Sequence, residues 1–322
     1  MDGVHRIEVP TPFDIGTVNC YAFESGALTV IDPGPDTDEA YEALADGLAR
    51  IGAGVEDVER ILVTHPHMDH FGIAGRVRDE SGASVIAHEH AAAIMRDMEA
   101  HFVREQSFFE PFLISMGVPE STAVAVTEVP EPYLPFQRPI DIDRTVGGGD
   151  IVEGAPTFTC VHTPGHAPGS LCYHVPETRT TFTGDHVMSD ITPNPVLTVR
   201  IGGEGRTRSL PAYMSSLERL LSVDAERGYG GHREPIPDLH ARVRETLDHH
   251  RERKEDVAEL LEESGPATAY DLMREMFSGL PTTEVFLGMS EVIGHLDLLE
   301  DDGRVEITDE GDRSYYAYTG AT

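Results

Sequence analysis

The chain has 322 residues, 24 basic against 57 acidic side chains and a formal net charge of −33, with Lys254 its one lysine. That length accommodates one sizeable core and a small second domain, and a surface of this sign excludes broad attraction to nucleic-acid phosphates. Such an imbalance repels itself in dilute buffer and is tolerated where salt screens it, which points to a halophilic, salt-rich cytoplasm.

The N-terminus, Met1-Asp2-Gly3-Val4-His5-Arg6, has neither a basic n-region nor an apolar h-region. No apolar run approaches the ~18 residues that span a bilayer, so a soluble, cytoplasmic chain without membrane contact is expected. Ile7 to Pro10, Val18 to Phe23 and Leu28 to Ile31 read as strands, the last closed by Asp32-Pro33-Gly34. Residues 38–51 then place Tyr41, Leu44, Leu48 and Ile51 on one helical face, with Asp36 or Asp38 as N-cap. Cys20, Cys160 and Cys172 lack C-x-x-C spacing and lie in apolar, β-prone stretches, as reduced core residues of an intracellular protein would.

The apolar stretch Ile61-Leu62-Val63 leads straight into Thr64-His65-Pro66-His67-Met68-Asp69-His70. Three imidazoles and a carboxylate at one strand-to-loop junction suit a metal such as zinc, manganese or iron better than a packed core. Alternate residues off a strand end can point at one ion, and Asp69 and His70 can then turn toward a second. A solvated His-rich loop is the bland alternative. Three later positions weaken it: His166 after the strand-like Thr157 to Val161, Asp185 after Thr180 to Thr183, and His232 after Tyr229-Gly230-Gly231. Each stands next to or near glycine, where backbone can approach an ion without a Cβ clash.

Between the first and second motifs, Ala91 to Phe112 carries Ile94, Met95, Met98, Phe102, Phe108, Phe109 and Phe112, followed by the Pro-aromatic run 130–136. This 90–140 insert either roofs the metal site, implying an apolar or acyl substrate, or is ordinary helix packing. After Asp185, Thr192 and Asn194 stand in a proline-bounded loop that could touch substrate but reads better as a turn. His162, His174 and His186 read as core or supporting histidines, and Asp32 as a carboxylate that braces a ligating imidazole.

The ordered set H-x-H-x-D-H, then His166, Asp185 and His232, resembles the metallo-β-lactamase-fold hydrolase superfamily over roughly residues 5–240. The resemblance implies an α/β fold of four layers, an αβ/βα sandwich of two packed sheets. It implies that His65, His67 and His166 bind a first metal and Asp69, His70 and His232 a second. Asp185 would bridge the two together with a water or hydroxide. Two ions about 3.5–4 Å apart lower the pKa of a shared water and clamp attacking and leaving oxygens. Asp69 would also act catalytically, orienting the nucleophile and passing its proton to the leaving group. Two zinc ions are the expectation, with manganese or iron as alternatives. A single-iron site of the persulfide-dioxygenase kind is the rival, and the flavodiiron branch fits less well because it has Glu where this chain has His67.

In the C-terminal part, a charged helix from His249 to Glu263, a second from Thr268 to Phe277 and a third through Val285, Met289, Val292, Ile293, Leu296 and Leu299 precede a hairpin at 304–318. Three helices and a hairpin resemble a winged-helix domain, giving a catalytic domain over 1–248 and a winged-helix-like domain over 249–322. Together with Gly231-His232-x-x-Pro235-Ile236 and His249-His250-Arg251, this tail resembles the β-lactamase-like protein 2 branch, although Arg233-Glu234 stand where that branch usually reads Gly-Pro. Winged helices often bind nucleic acid, but residues 251–322 hold 6 basic against 18 acidic side chains, which favours a role in dimerisation or in covering the active site.

The leading expectation is a binuclear hydrolase of a small ester, thioester or related acyl substrate. A metal-dependent endoribonuclease is the alternative; Asp185 and His232 are only 47 positions apart, leaving no room for the long insertion of RNA-cutting β-CASP relatives. A non-catalytic regulator would need a degenerate ligand set, and a glyoxalase II would need a basic cluster for its carboxylated thiol; neither is evident.

Overall fold

The computed structural model describes residues 3–128 and 131–320. Met1 and Asp2 of the N-terminal run and Pro130 of the Pro-aromatic run lie outside them. The chain forms two compact units, one of 1–98, 133–193 and 216–243 and one of 99–132, 194–215 and 244–322.

The first unit is built on two sheets. One has strands β1 (Val4–Pro10), β2 (Thr17–Phe23), β3 (Thr29–Ile31), β4 (Arg60–Leu62), β5 (Ser84–Ala87) and β6 (Arg144–Thr145), in that order across the sheet. β1, β2 and β3 pair antiparallel, whereas β3 through β6 pair parallel. The other has β7 (Ile151–Val152), β8 (Phe158–His162), β9 (Leu171–Val175), β10 (Thr180–Gly184) and β11 (Arg227–Gly230), with only β10 and β11 parallel.

Side chains alternate across a strand, and here the alternation sorts residues between two cores. Val18, Cys20 and Ala22 of β2, Val30 of β3, Ile61 of β4 and Val85 of β5 join one apolar cluster. Helices α1 (Asp38–Ala49), α2 (Met68–Phe71), α3 (Ala74–Ser81) and α4 (Glu89–Arg96) supply Leu44, Leu48, Phe71, Val77 and Met95 to the same cluster. Tyr21, Phe23, Ile31, Leu62 and Ile86 point the other way and meet Phe158, Tyr173 and Phe182 of the second sheet. Phe23 touches Phe158 and Phe182 edge-on, at 5.1 Å in each case. These layers form the expected αβ/βα sandwich. The N-cap of α1 is Thr37, whose side chain accepts from Ala40 N at 3.1 Å, rather than Asp36 or Asp38. Asp36 is instead engaged by the Arg138 guanidinium.

The second unit contains α5 (Met98–Ser115) from Glu99 on, α6 (Glu120–Glu128), the start of α7 (Ser209–Leu220) and most of α8 (Leu239–Ser264). It continues through α9 (Ala269–Met276) and α10 (Val285–Asp301) to the hairpin β12 (Val305–Glu310) and β13 (Arg313–Tyr318). This unit is larger than residues 249–322. Phe109, Leu113, Met116 and Val126 of the insert share one core with Val257, Leu261, Leu272, Met289, Ile293, Leu296 and Tyr316. Phe109 meets Phe286 edge-on at 5.1 Å, and Tyr270 N donates to Met116 O at 3.0 Å. The aromatic face of α5 is therefore core for the C-terminal helices. The apolar run from Ala91 to Phe112 is divided between α4 and α5 at Asp97, where φ −150° and ψ 76° leave the helical region. Thr268 and Asp271 form a reciprocal capping box at the start of α9. No helix among the described residues is long and apolar enough to cross a membrane. All three cysteines are buried and unpaired with one another.

Candidate metal centre

Every predicted ligand follows the end of a strand in the first unit: His65, His67, Asp69 and His70 after β4, His166 after β8, Asp185 after β10 and His232 after β11. The structure brings all seven together. His65 Nε2 and His166 Nε2 each lie 3.0 Å from His67 Nδ1, so three imidazole nitrogens converge. Asp69, His70 and His232 form a second convergent set. Asp185 sits between the two, with Oδ2 3.8 Å from His166 Nε2 and 3.4 Å from His232 Nε2, and Oδ1 3.5 Å from His70 Nε2.

Supporting groups decide which imidazole nitrogen faces inward. Asp32 is buried, and its carboxylate accepts from Thr64 N (2.8 Å), Thr64 Oγ1 (2.6 Å) and His70 Nδ1 (2.9 Å). That bond aims His70 Nε2 at Asp185 and at Asp69 Oδ2, 3.8 Å away. His232 Nδ1 donates to Thr17 O at 2.7 Å, turning Nε2 toward Asp69 Oδ2 at 3.3 Å. Asp32 therefore braces a ligand-set imidazole as expected, and it does so with φ at +53°, a left-handed conformation costly for most side chains.

Electrostatics divide the centre in two. Burial, reinforced by His166, pushes His67 down to about 3. Burial and the neighbouring His70 and His67 likewise hold His65 well below the ordinary imidazole value. Across the centre, burial opposes charge on His232, but Asp185 and Asp69 outweigh it and raise the imidazole to about 9. His70 is raised in the same way by Asp185, Asp69 and Asp32. Burial would raise Asp185, yet His70 and His232 hold it well below the usual carboxylate range.

This donor set fits divalent ions. His70 Nε2 and Asp185 Oδ1 are buried without hydrogen-bond partners, an arrangement that costs free energy unless something satisfies them. The carboxylates that favour charge on His70 would also favour a dication at this place. Imidazole and carboxylate donors in buried sets of three match zinc, manganese or iron.

The loops are fixed from both sheets. Leu171 N donates to Thr64 O (2.7 Å) and Tyr173 Oη to Val63 O (2.9 Å), tying the His65 loop to β9. Asn19 Nδ2 donates to Gly230 O (3.1 Å) and Arg233 O (2.8 Å), and Tyr21 Oη to Gly230 O (2.6 Å). Sequence reasoning missed these holders, although Asn19, a buried amide in an otherwise apolar strand, was a usable signal. A Cβ on Gly231 would collide with Asp185 Oδ1 and His70, which is why backbone without a side chain stands there.

A model of the metallo-beta-lactamase superfamily matches residues 14–232, a span that contains all seven residues. The chain belongs to that superfamily. Among its relatives is the Bacillus subtilis (strain 168) protein "Probable metallo-hydrolase YqjP", 32% identical over 98% of this chain and 98% of that one. The Caenorhabditis elegans "Beta-lactamase-like protein 2 homolog" is 25% identical over 95% of this chain and 86% of its own, in line with the branch read from the tail. An "Atrochrysone carboxyl ACP thioesterase" of Aspergillus fumigatus is 28% identical over 64% of this chain and 63% of its own. Among solved structures, a metallo-beta-lactamase family protein from Thermus thermophilus, TTHA1429, superimposes with a TM-score of 0.80 and 28% identity, covering 99% of each chain.

The remaining sequence-predicted positions of this superfamily member are structural. His162 stacks on His88 (4.0 Å between rings, 11° between planes) and His174 bonds Thr181 at 3.0 Å. Thr192 accepts from Arg242, which also donates to Met188 O and Ile191 O, and Asn194 donates to Leu287 O at 3.0 Å. Both side chains thus bond groups distant in sequence rather than partners within their own turn. Arg233 has φ +66°, a conformation suited to the glycine that the branch usually carries there.

Proposed function

We propose that this chain is a metallo-hydrolase that cleaves a small ester, thioester or related acyl bond. The observation that carries the reading is the pair of donor sets joined at Asp185, with His70 Nε2 and Asp185 Oδ1 buried and unsatisfied. His65, His67 and His166 would hold one ion, Asp69, His70 and His232 the other, with Asp185 shared. When bound, two such ions polarise the scissile carbonyl and lower the pKa of water. Asp69 lies at the edge of the centre, its side chain 14% exposed, and would take a proton from the nucleophile and return it to the leaving group. We read the metal as zinc, the compartment as a salt-rich cytoplasm, and the C-terminal helices and hairpin as winged-helix-like.

Support for an acyl substrate comes from the thioesterase relative and from an aromatic trio. Phe13 meets Tyr133 at 5.5 Å and Phe136 at 5.7 Å, and Tyr133 is 38% exposed. Phe13 precedes by four residues the Thr17 carbonyl that anchors His232, and Phe136 O accepts from Asp36 N at 2.7 Å. Against a ribonuclease, Arg251, Arg253, Lys254 and Arg304 of the C-terminal region are all paired with carboxylates. The test is metal-loaded protein in molar KCl assayed on a thioester and lactone panel and on unstructured RNA, with Asp69→Asn as control. Acyl turnover that falls about 10²–10⁴-fold in the variant is expected. RNA cleavage by the wild type alone would replace the reading, and acyl turnover unchanged by Asp69→Asn would sink it.

A further inference from the structure

We infer that His249, His250 and Glu291 form a separate site for a divalent transition-metal ion within the second unit. His249 and His250 are successive residues of α8, and Glu291 lies on α10. Their side-chain donor atoms nevertheless all lie within 4.8 Å of one another. Neighbouring helix positions diverge at Cβ, so two adjacent imidazoles leaning toward one carboxylate call for a reason.

A short chain of hydrogen bonds supplies the chemistry. His295 Nδ1 donates to Glu291 O, one turn back on α10, at 2.7 Å. In a neutral ring that leaves His295 Nε2 as an acceptor, and it faces His250 Nδ1 at 3.4 Å. His250 Nδ1 is then the donor, and Nε2 carries the lone pair. That Nε2 is buried and makes no hydrogen bond, on a residue only 1% exposed. A ring with one nitrogen fixed by a neighbour and an unused lone pair on the other is the usual arrangement of a ligating histidine. Tyr213 packs edge-on against His250 at 5.6 Å and closes that side to water.

The nearby cation is directed elsewhere. Arg253 approaches Asp256 at 3.9 Å and covers the Phe277 ring at 5.4 Å, and makes no ion pair with Glu291 within 4 Å. The Glu291 side chain is 13% exposed, so a dication would relieve a largely buried acid as well as a buried lone pair. Two imidazoles and one carboxylate suit zinc, cobalt or nickel, with water in the remaining positions. The ion would cross-link α8 to α10 far apart in sequence from the superfamily ligands.

Zn2+ itself is the probe, counted by native mass spectrometry and titrated calorimetrically on the full chain. Glu291→Gln and His249→Ala should each bind one ion fewer than wild type, or bind that ion at least about tenfold more weakly. A His67→Ala/His70→Ala/Asp185→Asn chain, with both superfamily donor sets broken, should keep one ion that disappears when Glu291→Gln is added. Each variant's melting midpoint in EDTA should match its parent's, while the rise on adding Zn2+ shrinks, an outcome that misfolding cannot imitate. Unchanged stoichiometry and affinity in both Glu291→Gln and His249→Ala would overturn the inference. So would a folded His67→Ala/His70→Ala/Asp185→Asn chain that binds no zinc.

Discussion

Asp32→Asn is the sharpest test of how the metal centre is organised. The substitution keeps size and shape, and asparagine tolerates the +53° φ at this position better than any residue except glycine. What changes is hydrogen-bond polarity. The carboxylate accepts three bonds, from Thr64 N, Thr64 Oγ1 and His70 Nδ1. An amide that still accepts from Thr64 N must turn its NH2 toward Thr64 Oγ1 and His70 Nδ1. His70 Nδ1 then becomes the acceptor, its proton moves to Nε2, and the nitrogen facing Asp69 and Asp185 loses its lone pair. Loss of a supporting partner of this kind costs 10–100-fold in metal affinity, about 1.4–2.7 kcal/mol. The loss should fall on the set Asp69, His70 and His232 and spare His65, His67 and His166. Calorimetric zinc titration resolves the two steps, with circular dichroism confirming the fold. If both steps keep their wild-type affinities, His70 orientation does not depend on Asp32 and the argument fails.

Three further outcomes follow from the same structure. Arg233→Gly should raise stability by about 0.5–1 kcal/mol in urea unfolding, because an exposed arginine held at φ +66° is strained while its backbone contacts to Asn19 and Arg6 remain. Phe109→Ala should cost about 3–5 kcal/mol, since Phe109 is 1% exposed in the core shared by α5 and the C-terminal helices; a cost below 1 kcal/mol would place the insert outside that core. Burial and the stacked His162 lower His88 to about 4, so the unfolded chain binds this proton more readily and stability contributed above pH 6.5 is lost as pH falls toward 4. His88→Gln should flatten that acid limb of the unfolding midpoint, and an unchanged slope would remove His88 from the account.

The centre was legible because its chemistry is concentrated. Four of its seven residues fall within six positions, and the others stand beside or close to glycines that end strands. Val18 to Phe23 was legible as a strand, whereas the sorting of Val18, Cys20 and Ala22 from Tyr21 and Phe23 between two cores comes from the structure. The partner of an apolar face was not legible. The spacing of Phe108, Phe109 and Phe112 predicts burial but carries no information about which surface receives it, and the structure pairs it with helices some 150 positions later in the chain. The start of α8 was missed for a related reason. Leu239, Val243 and Leu247 are buried along one face of a helix that runs on without a break into the charged stretch from His249. Thr37 beside Asp36 and Asp38 offered three capping residues in a row, and only the Asp36–Arg138 contact decides among them.

The position of the seven residues also explains why the two sheets must be fixed against each other. Four of the seven residues leave one sheet and three leave the other, so any slip between sheets separates His65 and His67 from His166, and His70 from Asp185 and His232. Rings of Phe23, Phe158, Phe182 and Tyr173 resist that slip by close packing. The bonds from Leu171 to Thr64, Tyr173 to Val63, and Asn19 and Tyr21 to the Gly230–Arg233 loop then set the register at the site itself. Burying seven titratable groups would otherwise destabilise the sandwich, because unsatisfied donors and unpaired charges are expensive in a dry interior. Ligation by these seven residues would turn that liability into cross-linking between the sheets and would couple folding of this unit to occupancy of the centre.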